Sequence, residues 1–271
     1  ELVSFDAVTD RVNYLPEKAE AQAAELLEMA ISNFKQRRAS VETVPQLPIK
    51  EAIVGFSTES IVEALGGSLE PLLNAVKKGK IRGIAGLVSC TTLRDSGQDV
   101  HTVAITKELI KRDILVLSMG CGNGALQVAG LCTPEAKVYA GSGLKGLCES
   151  LGIPPVLSYG TCTDTGRLAD LLAAVSNALG DVPIPDLPVV AAAPEYMEQK
   201  ATIDAIFALA LGLYTYVNPV PTVTGAPNLV KLLTVDCKQV TGGQLNVEKD
   251  PVKAADAILG HIEASRRKLG I

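Results

Sequence analysis

From about residue 50 onwards, short apolar runs rich in β-branched residues alternate with longer patterns of helical period. A strand that is apolar along its whole length is buried on both faces, and the intervening helices cover it. The alternation therefore predicts an α/β fold, a Rossmann-like, doubly wound parallel sheet with helices on both faces. The predicted strands are Glu51–Ser57, Gly83–Ser89, Ile114–Met119, Pro155–Tyr159, Val189–Ala193, Tyr214–Val217 and Gln244–Val247.

One long helix precedes this alternation. Apolar residues recur near the 3.6-residue period between Leu15 and Arg38, and a linker with two prolines, VETVPQLPIK, follows. We expect residues 1–46 to form an N-terminal helical segment with its linker, and residues 47–271 to form the Rossmann-like domain. The predicted helices of that domain are Glu59–Leu65, Leu69–Lys78, Val100–Arg112, Asn123–Ala129, Gly141–Leu151, Thr165–Leu179, Tyr196–Leu211, Asn228–Leu233 and Pro251–Arg267.

Composition argues against several classes of function. The net charge of −5 is spread over the chain, and aromatic residues make up 4% with no Trp, so a nucleic-acid partner is not expected. The longest apolar run, Ala205–Val217, is too short to cross a membrane. The first residues show no signal-peptide pattern. We therefore expect a cytoplasmic protein without a membrane span.

Three of the six cysteines fall just after consecutive predicted strands. Cys90 follows GIAGLVS, Cys121 follows ILVLSMG, and Cys162 follows PPVLSYGT. No CxxC pair and no secretion signal is present, which disfavours a zinc ribbon and a disulfide framework. The carboxyl ends of parallel strands form the crevice in which ligands bind. The three thiols are either metal ligands at one point or small residues that fill tight turns.

The other three cysteines lie elsewhere in the pattern. Cys132 and Cys148 fall on or beside helical segments, and Cys237 lies in a loop or at a strand edge. Buried cysteines of this kind behave as small apolar residues. We expect these three to be ordinary core residues rather than ligands.

Lys200 follows a fourth strand and lies in the first turns of the next predicted helix. An ammonium group near a helix N-terminus, and away from water, has a lowered pKa and can exchange protons near neutral pH. A solvated helix lysine is the alternative reading. Lys200 is therefore a candidate catalytic residue, provided that it lies close to the other residues of a site.

These segments together resemble a known family. GIAGLVSC, VLSMGCG, GLCTPEA, SYGTCTD, APEYMEQKA and the C-terminal stretch from TGGQLNVEKD onwards are similar to the C-terminal part of nickel-containing anaerobic carbon monoxide dehydrogenases. The resemblance extends from about Leu15 to Ile271. Each motif is weak alone, and the combination makes the resemblance specific.

The resemblance implies a Ni–Fe–S cluster as cofactor, with no NAD. Cys90 and Cys121 would ligate iron atoms, Cys162 would ligate nickel, and Lys200 would be the basic residue near the cluster. The implied enzyme is an oxidoreductase that converts CO and water to carbon dioxide, two protons and two electrons. Family enzymes are longer, and their N-terminal and middle domains, or a second subunit, would complete the site. A homodimer and a ferredoxin-type electron acceptor are the other implied partners.

Three other readings stay open. The related hybrid-cluster family, a hydroxylamine-type reductase, is similar in the same domain, although TPEA and PVPTVTGAP favour the dehydrogenase. Gly120, Gly122 and Ala125 match a dinucleotide-binding pattern, but they follow the third predicted strand, where the first is usual. A metal-free scaffold or oligomerisation fragment is the non-enzymatic alternative, because half of the family's ligand set is absent from this chain.

Overall fold

The computed structural model describes residues 19–40, 51–92, 97–197 and 199–271. The chain divides into two compact units, Glu1–Ile49 and Lys50–Ile271. In the first unit, helix α1 spans Ala19–Ser40. This helix agrees with the predicted long N-terminal helix, whose first residues, 15–18, lie outside the described part of the chain. The predicted domain boundary after residue 46 stays a prediction.

The second unit is built on one parallel sheet. Its six strands lie in the order β3-β2-β1-β4-β5-β6, and every neighbouring pair is parallel. The chain moves outwards from β1 to β3 and then returns to β4 on the other side of β1, which is the doubly wound arrangement. The predicted α/β fold is confirmed. The strands are β1 Gly83–Ser89, β2 Ile114–Gly120, β3 Val156–Gly160, β4 Val189–Ala193, β5 Tyr214–Val217 and β6 Gln244–Val247.

Helices connect the strands and surround the sheet. They are α2 Thr58–Ala64, α3 Glu70–Lys77, α4 Val100–Lys111, α5 Cys121–Val128, α6 Ser142–Leu151, α7 Gly166–Ala178, α8 Gln199–Ala210, α9 Pro227–Lys231, α10 Cys237–Val240 and α11 Pro251–Leu269. A π-helical turn, Leu232–Asp236, separates α9 from α10. Short 3-10 turns occur at Pro134–Tyr139, Cys162–Asp164 and Ile184–Asp186. In the described part of the chain, no helix is long and apolar enough to cross a membrane.

The strand predicted at Glu51–Ser57 is wrong. This segment forms only an isolated bridge between Val54 and Ser158, next to the edge strand β3. Gly55 has a φ of +87°, which interrupts extended backbone, and Val54 is 59% exposed. A strand of a doubly wound sheet needs apolar cover on both faces, and this segment lacks it.

Helix α11 is fixed to the sheet by its apolar face and by a buried arginine. Asp250 caps its start by accepting hydrogen bonds from the backbone N–H groups of Val252 and Lys253, at 2.8 and 3.1 Å. Further along, the buried Arg266 guanidinium donates to the carbonyl oxygen of Val76 at 2.8 Å and to that of Arg82 at 3.2 Å. These bonds join the last helix to the end of α3 and to the turn that leads into β1. The face of α11 with no solvent exposure consists of Ala254, Ala255, Ile258 and Ile262.

Candidate functional site

The three strand-end cysteines lie at one edge of the sheet. Cys90 comes directly after β1, Cys121 is the first residue of α5 directly after β2, and Cys162 opens the 3-10 turn that follows β3. Strands β3, β2 and β1 are neighbours and run parallel. Their carboxyl ends, and the residues that follow them, therefore meet at the same edge.

Gly120 shows how closely the three turns approach one another. It has a φ of +80° and a ψ of −159°, a region that is almost restricted to glycine. A Cβ atom at this position would lie 2.8 Å from the carbonyl oxygen of Ser89 and 3.1 Å from the Cβ atom of Cys162. A Cβ atom at Gly122 would lie 2.5 Å from that of Ser89. The residues before Cys90 and Cys121 thus pack against each other and against Cys162.

The three cysteines differ in exposure. Cys90 is 8% exposed, Cys162 is half-buried, and Cys121 is exposed. Of the three residues, Cys121 is therefore the most accessible to solvent and Cys90 the least. No side chain caps the start of α5, so the N–H groups of its first turn have no side-chain acceptor there. A helix N-terminus of this kind favours negative charge.

This donor set fits a metal–sulfur cluster better than a single ion. Within the described ranges, no three His, Cys, Asp or Glu side chains are grouped closely enough to hold one metal ion. Ligands of a cluster bind different metal atoms, so they must stand apart around it. Thiolates are the donors that iron–sulfur clusters and soft metals take. Three cysteines on the ends of adjacent strands would meet that requirement.

Cys132 and Cys148 belong to the core. Both are almost without solvent exposure. Burial raises the pKa of Cys132 to about 12 and that of Cys148 to about 11. Thiols with such pKa values stay protonated at neutral pH, whereas a metal ligand must be a thiolate. This agrees with the interpretation of both as ordinary core residues. Cys237 is half-buried and begins α10.

The backbone of Lys200 is in the first turn of α8, where it is the second residue of the helix. Helix α8 follows β4, and β4 pairs with β1 in parallel. The turn before Lys200 therefore lies at the same sheet edge as Cys90. The strand order thus brings the backbone at the start of α8 to the end of the sheet that carries Cys90.

Glu195 is a residue of this edge that sequence reasoning missed. It lies between β4 and α8 and has no solvent exposure. Its carbonyl oxygen accepts from the Cys90 N–H and from the Ser89 hydroxyl, both at 2.8 Å, and its N–H donates to Ser89 Oγ at 3.2 Å. In the sequence APEYMEQK, Glu195 looks like a surface acid, and no periodic pattern marks it as buried. Only the paired strand ends reveal the contact.

His101 is a second buried polar residue near the start of α4. It follows the exposed-looking sequence position Asp99 but is only 5% exposed. Its Nε2 atom lies 2.8 Å from the Tyr216 hydroxyl, which donates to the carbonyl oxygen of Glu248 at 2.9 Å. Since Tyr216 donates its proton to Glu248, Nε2 of His101 is the donor towards Tyr216. These two hydrogen bonds connect α4 to β5 and to the end of β6.

The position of the dinucleotide-like glycines does not favour a dinucleotide. Gly120 and Gly122 follow β2, which lies between β1 and β3. In doubly wound folds the dinucleotide turn follows the first strand, at the point where the strand order reverses. Here that point lies between β1 and β4. Both glycines instead allow close packing against Ser89 and Cys162.

Comparison with known proteins gives a consistent result. The model of the Prismane/CO dehydrogenase family matches residues 2–252. Carbon monoxide dehydrogenase 2 of Methanosarcina mazei is 72% identical over 271 residues, which is all of this chain and 43% of that protein. Carbon monoxide dehydrogenase of Archaeoglobus fulgidus is 56% identical over 270 residues, again 43% of its length. The chain thus spans less than half the length of these curated relatives.

Solved structures share the fold at substantial identity. A nickel-free structure of carbon monoxide dehydrogenase from Thermococcus sp. AM4 aligns with a TM-score of 0.88 at 44% identity, over 96% of this chain and 40% of that one. An acetyl-CoA synthase/carbon monoxide dehydrogenase structure, described as having NiZn[Fe4S4] and NiNi[Fe4S4] clusters, aligns with a TM-score of 0.88 at 34% identity, over 96% and 40%.

Proposed function

Since this chain belongs to the Prismane/CO dehydrogenase family, we propose that it supplies the C-terminal segment of a nickel-containing carbon monoxide dehydrogenase. The proposed reaction converts CO and water to carbon dioxide, two protons and two electrons. The observation that carries the proposal is the meeting of three cysteine-bearing strand ends around Gly120. Because the chain spans 43% of the curated relatives' length, the remaining ligands would come from other segments or from a second subunit.

In this proposal the three cysteines ligate different metal atoms of the cluster. Cys90 and Cys121 bind iron atoms, and Cys162 binds nickel. When bound, the Ni–Fe–S cluster supplies the redox centre and the Lewis acid for CO and water. The buried Cys90 would hold the cluster where solvent does not reach, whereas Cys121 is exposed and Cys162 half-buried. The exposure of Cys121 would leave room beside it for the remaining ligands.

Lys200 is the proposed proton carrier of this chain. Oxidation of CO by water releases two protons, so a basic group beside the reaction centre is required. The first turn of α8 begins at the sheet edge that carries Cys90. An ammonium group there stabilises carboxylate charge and passes protons on. We place the enzyme in the cytoplasm as a homodimer that passes electrons to a ferredoxin-type acceptor.

The proposal is tested by removing the predicted nickel ligand. In the complete enzyme, Cys162→Ala should abolish nickel binding and CO oxidation while most of the iron is retained. The matched control is Cys237→Ala, since Cys237 is also half-buried but begins α10 rather than following a strand of the site edge. Nickel, iron and acid-labile sulfide are measured in anaerobically prepared protein, together with CO-dependent dye reduction.

The wild-type analysis separates the competing readings. Nickel, iron and sulfide together support the dehydrogenase. Iron and sulfide without nickel, with hydroxylamine reduction, would replace it by the hybrid-cluster reading. A complete enzyme without metal would leave only the scaffold reading. Normal nickel content in Cys162→Ala would contradict the assignment of that residue.

A further inference from the structure

The Glu195 carboxylate caps a helix that begins far from it in the sequence. Oε2 accepts from the Thr102 N–H at 3.0 Å and from the Thr102 hydroxyl at 2.5 Å. Thr102 is the third residue of α4, and the N-cap residue Asp99 forms no side-chain cap. The first N–H groups of a helix need an acceptor, and its positive end favours a carboxylate. A buried glutamate from the β4–α8 turn therefore does what an N-cap side chain normally does.

The same carboxylate reaches the segment that follows Cys90. Its other oxygen, Oε1, accepts from the Thr92 N–H at 3.5 Å. Residues 90–92 belong to neither a strand nor a helix, so the regular ladder does not hold the thiol in place. The Glu195 carbonyl oxygen binds the Cys90 N–H directly. Glu195 thus binds the backbone at Cys90 with its carbonyl oxygen and the backbone two residues later with its carboxylate.

We propose that Glu195 is the positioning residue of the cluster site, holding the Cys90 thiol at the end of β1 in the location from which it ligates the metal. Only the statement that Cys90 ligates a metal rests on the proposed function, whereas the role of Glu195 in holding the turn does not. The same turn leads into α8, five positions before Lys200. Glu195 therefore also sets how the predicted ligand and the predicted base lie relative to each other.

The energetics support a positioning role. A fully buried carboxylate is costly unless strong hydrogen bonds satisfy it. Glu195 has such bonds from Thr102 and a longer one from Thr92. Hydrogen bonds to charged groups are the stronger ones in proteins. When one of these bonds is lost, the carboxylate is held less firmly between α4 and the segment that follows β1.

The test uses three variants of the chain. Thr102→Val keeps nearly the same side-chain volume but removes the hydroxyl that donates to the carboxylate. Glu195→Gln keeps an acceptor but removes the charge. Thr106→Val is the matched control, because Thr106 is equally buried on the same helix and its hydroxyl bonds only the Thr102 carbonyl within α4.

The first readout is the rate at which iodoacetamide modifies each cysteine in the metal-free full chain, followed by peptide mass spectrometry. Loss of a hydrogen bond to a charged group should raise the Cys90 rate on the order of tenfold in Thr102→Val and in Glu195→Gln. The Thr106→Val rate should stay within about twofold of wild type. Cys132 and Cys148 should remain protected in all three, which shows that the core stays folded.

The second readout is the midpoint potential and electron paramagnetic resonance spectrum of the cluster in the complete enzyme. Both should shift in Glu195→Gln and remain as in wild type in Thr106→Val. Equal Cys90 rates in Thr102→Val and Thr106→Val would overturn the inference, as would an unchanged cluster spectrum in Glu195→Gln. If wild-type enzyme bound no iron, the proposed function would fail, while the Cys90 rates would still decide whether Glu195 holds that turn.

Discussion

A single methyl group added at Gly120 tests whether the three strand ends are packed as tightly as the geometry indicates. Gly120 adopts a φ of +80° and a ψ of −159°, and an alanine in that region costs about 1–3 kcal/mol. The added Cβ atom would also lie 2.8 Å from the Ser89 carbonyl oxygen and 3.1 Å from the Cβ atom of Cys162. Overpacking of this kind costs about 1–3 kcal/mol more.

Gly120→Ala should therefore lower the free energy of unfolding by about 2–6 kcal/mol, a large part of the roughly 5–15 kcal/mol that holds a domain together. The control is Gly124→Ala in the helix that follows, α5, where an added Cβ atom meets nothing within 4 Å. That substitution should stabilise α5 by about 0.5–1 kcal/mol, because glycine is a poor helix former.

Urea denaturation of the metal-free chain, followed by circular dichroism and extrapolated linearly to water, measures both variants. If Gly120→Ala unfolded within about 0.5 kcal/mol of wild type, the turns could not be packed as described. The convergence of Cys90, Cys121 and Cys162 would then lose its main structural support. If both glycine variants were destabilised to the same extent, the effect would belong to α5 as a whole rather than to the contact with Ser89 and Cys162.

Two further predictions concern the last helix. Arg266→Met should lower the free energy of unfolding by about 3 kcal/mol, because the carbonyl groups of Val76 and Arg82 lose a charged donor. Urea denaturation measures this change. A loss below about 1 kcal/mol would contradict the view that Arg266 fixes α11 to the rest of the domain. Backbone hydrogen bonds from Lys253 and Val252 lower the pKa of Asp250. A carboxylate with a lowered folded-state pKa stabilises the fold above its unfolded-state pKa and loses that effect as the pH falls through the folded value. Asp250→Ala should thus be less stable than wild type at pH 7. The difference in melting temperature between the two proteins should narrow below about pH 4. A difference that stays constant with pH would show that the charge of Asp250 does not contribute to the helix cap.

The sheet was predictable because its signals are local. Val189–Ala193 and Tyr214–Val217 are short apolar runs between helical patterns, and the structure gives them the predicted bounds. Both are buried apart from the partly buried Ala191, so local hydrophobicity and tertiary position agree. Glu51–Ser57 carries a similar apolar signal but lies beside an edge strand without full cover. Sequence alone does not distinguish an apolar run inside the sheet from one beside it.

The site was predictable only in part, for a related reason. Cys90, Cys121 and Cys162 follow strands, and parallel topology brings the ends of neighbouring strands together whatever the side chains are. Glu195 meets Thr102, 93 positions away in the chain, through a contact that depends on β1 and β4 being neighbours. That pairing arises where the strand order reverses. A polar residue whose partner lies across the reversal has no periodic signature in the sequence.

The same reversal explains how the chemistry is divided along the edge. Across β3, β2 and β1, the turns carry Cys162, Cys121 and Cys90 in that order, and the next turn, after β4, carries Glu195 and leads to Lys200. The thiols lie on one side of the reversal and the carboxylate and the lysine on the other. Because the Cys90 N–H donates to the Glu195 carbonyl oxygen and so joins the two sides at β1, a shift of either side would move the proposed ligand and the proposed base together. The proposed site would bind a metal on one side and carry protons on the other, and its two sides are linked at the strand pair where the two halves of the fold meet.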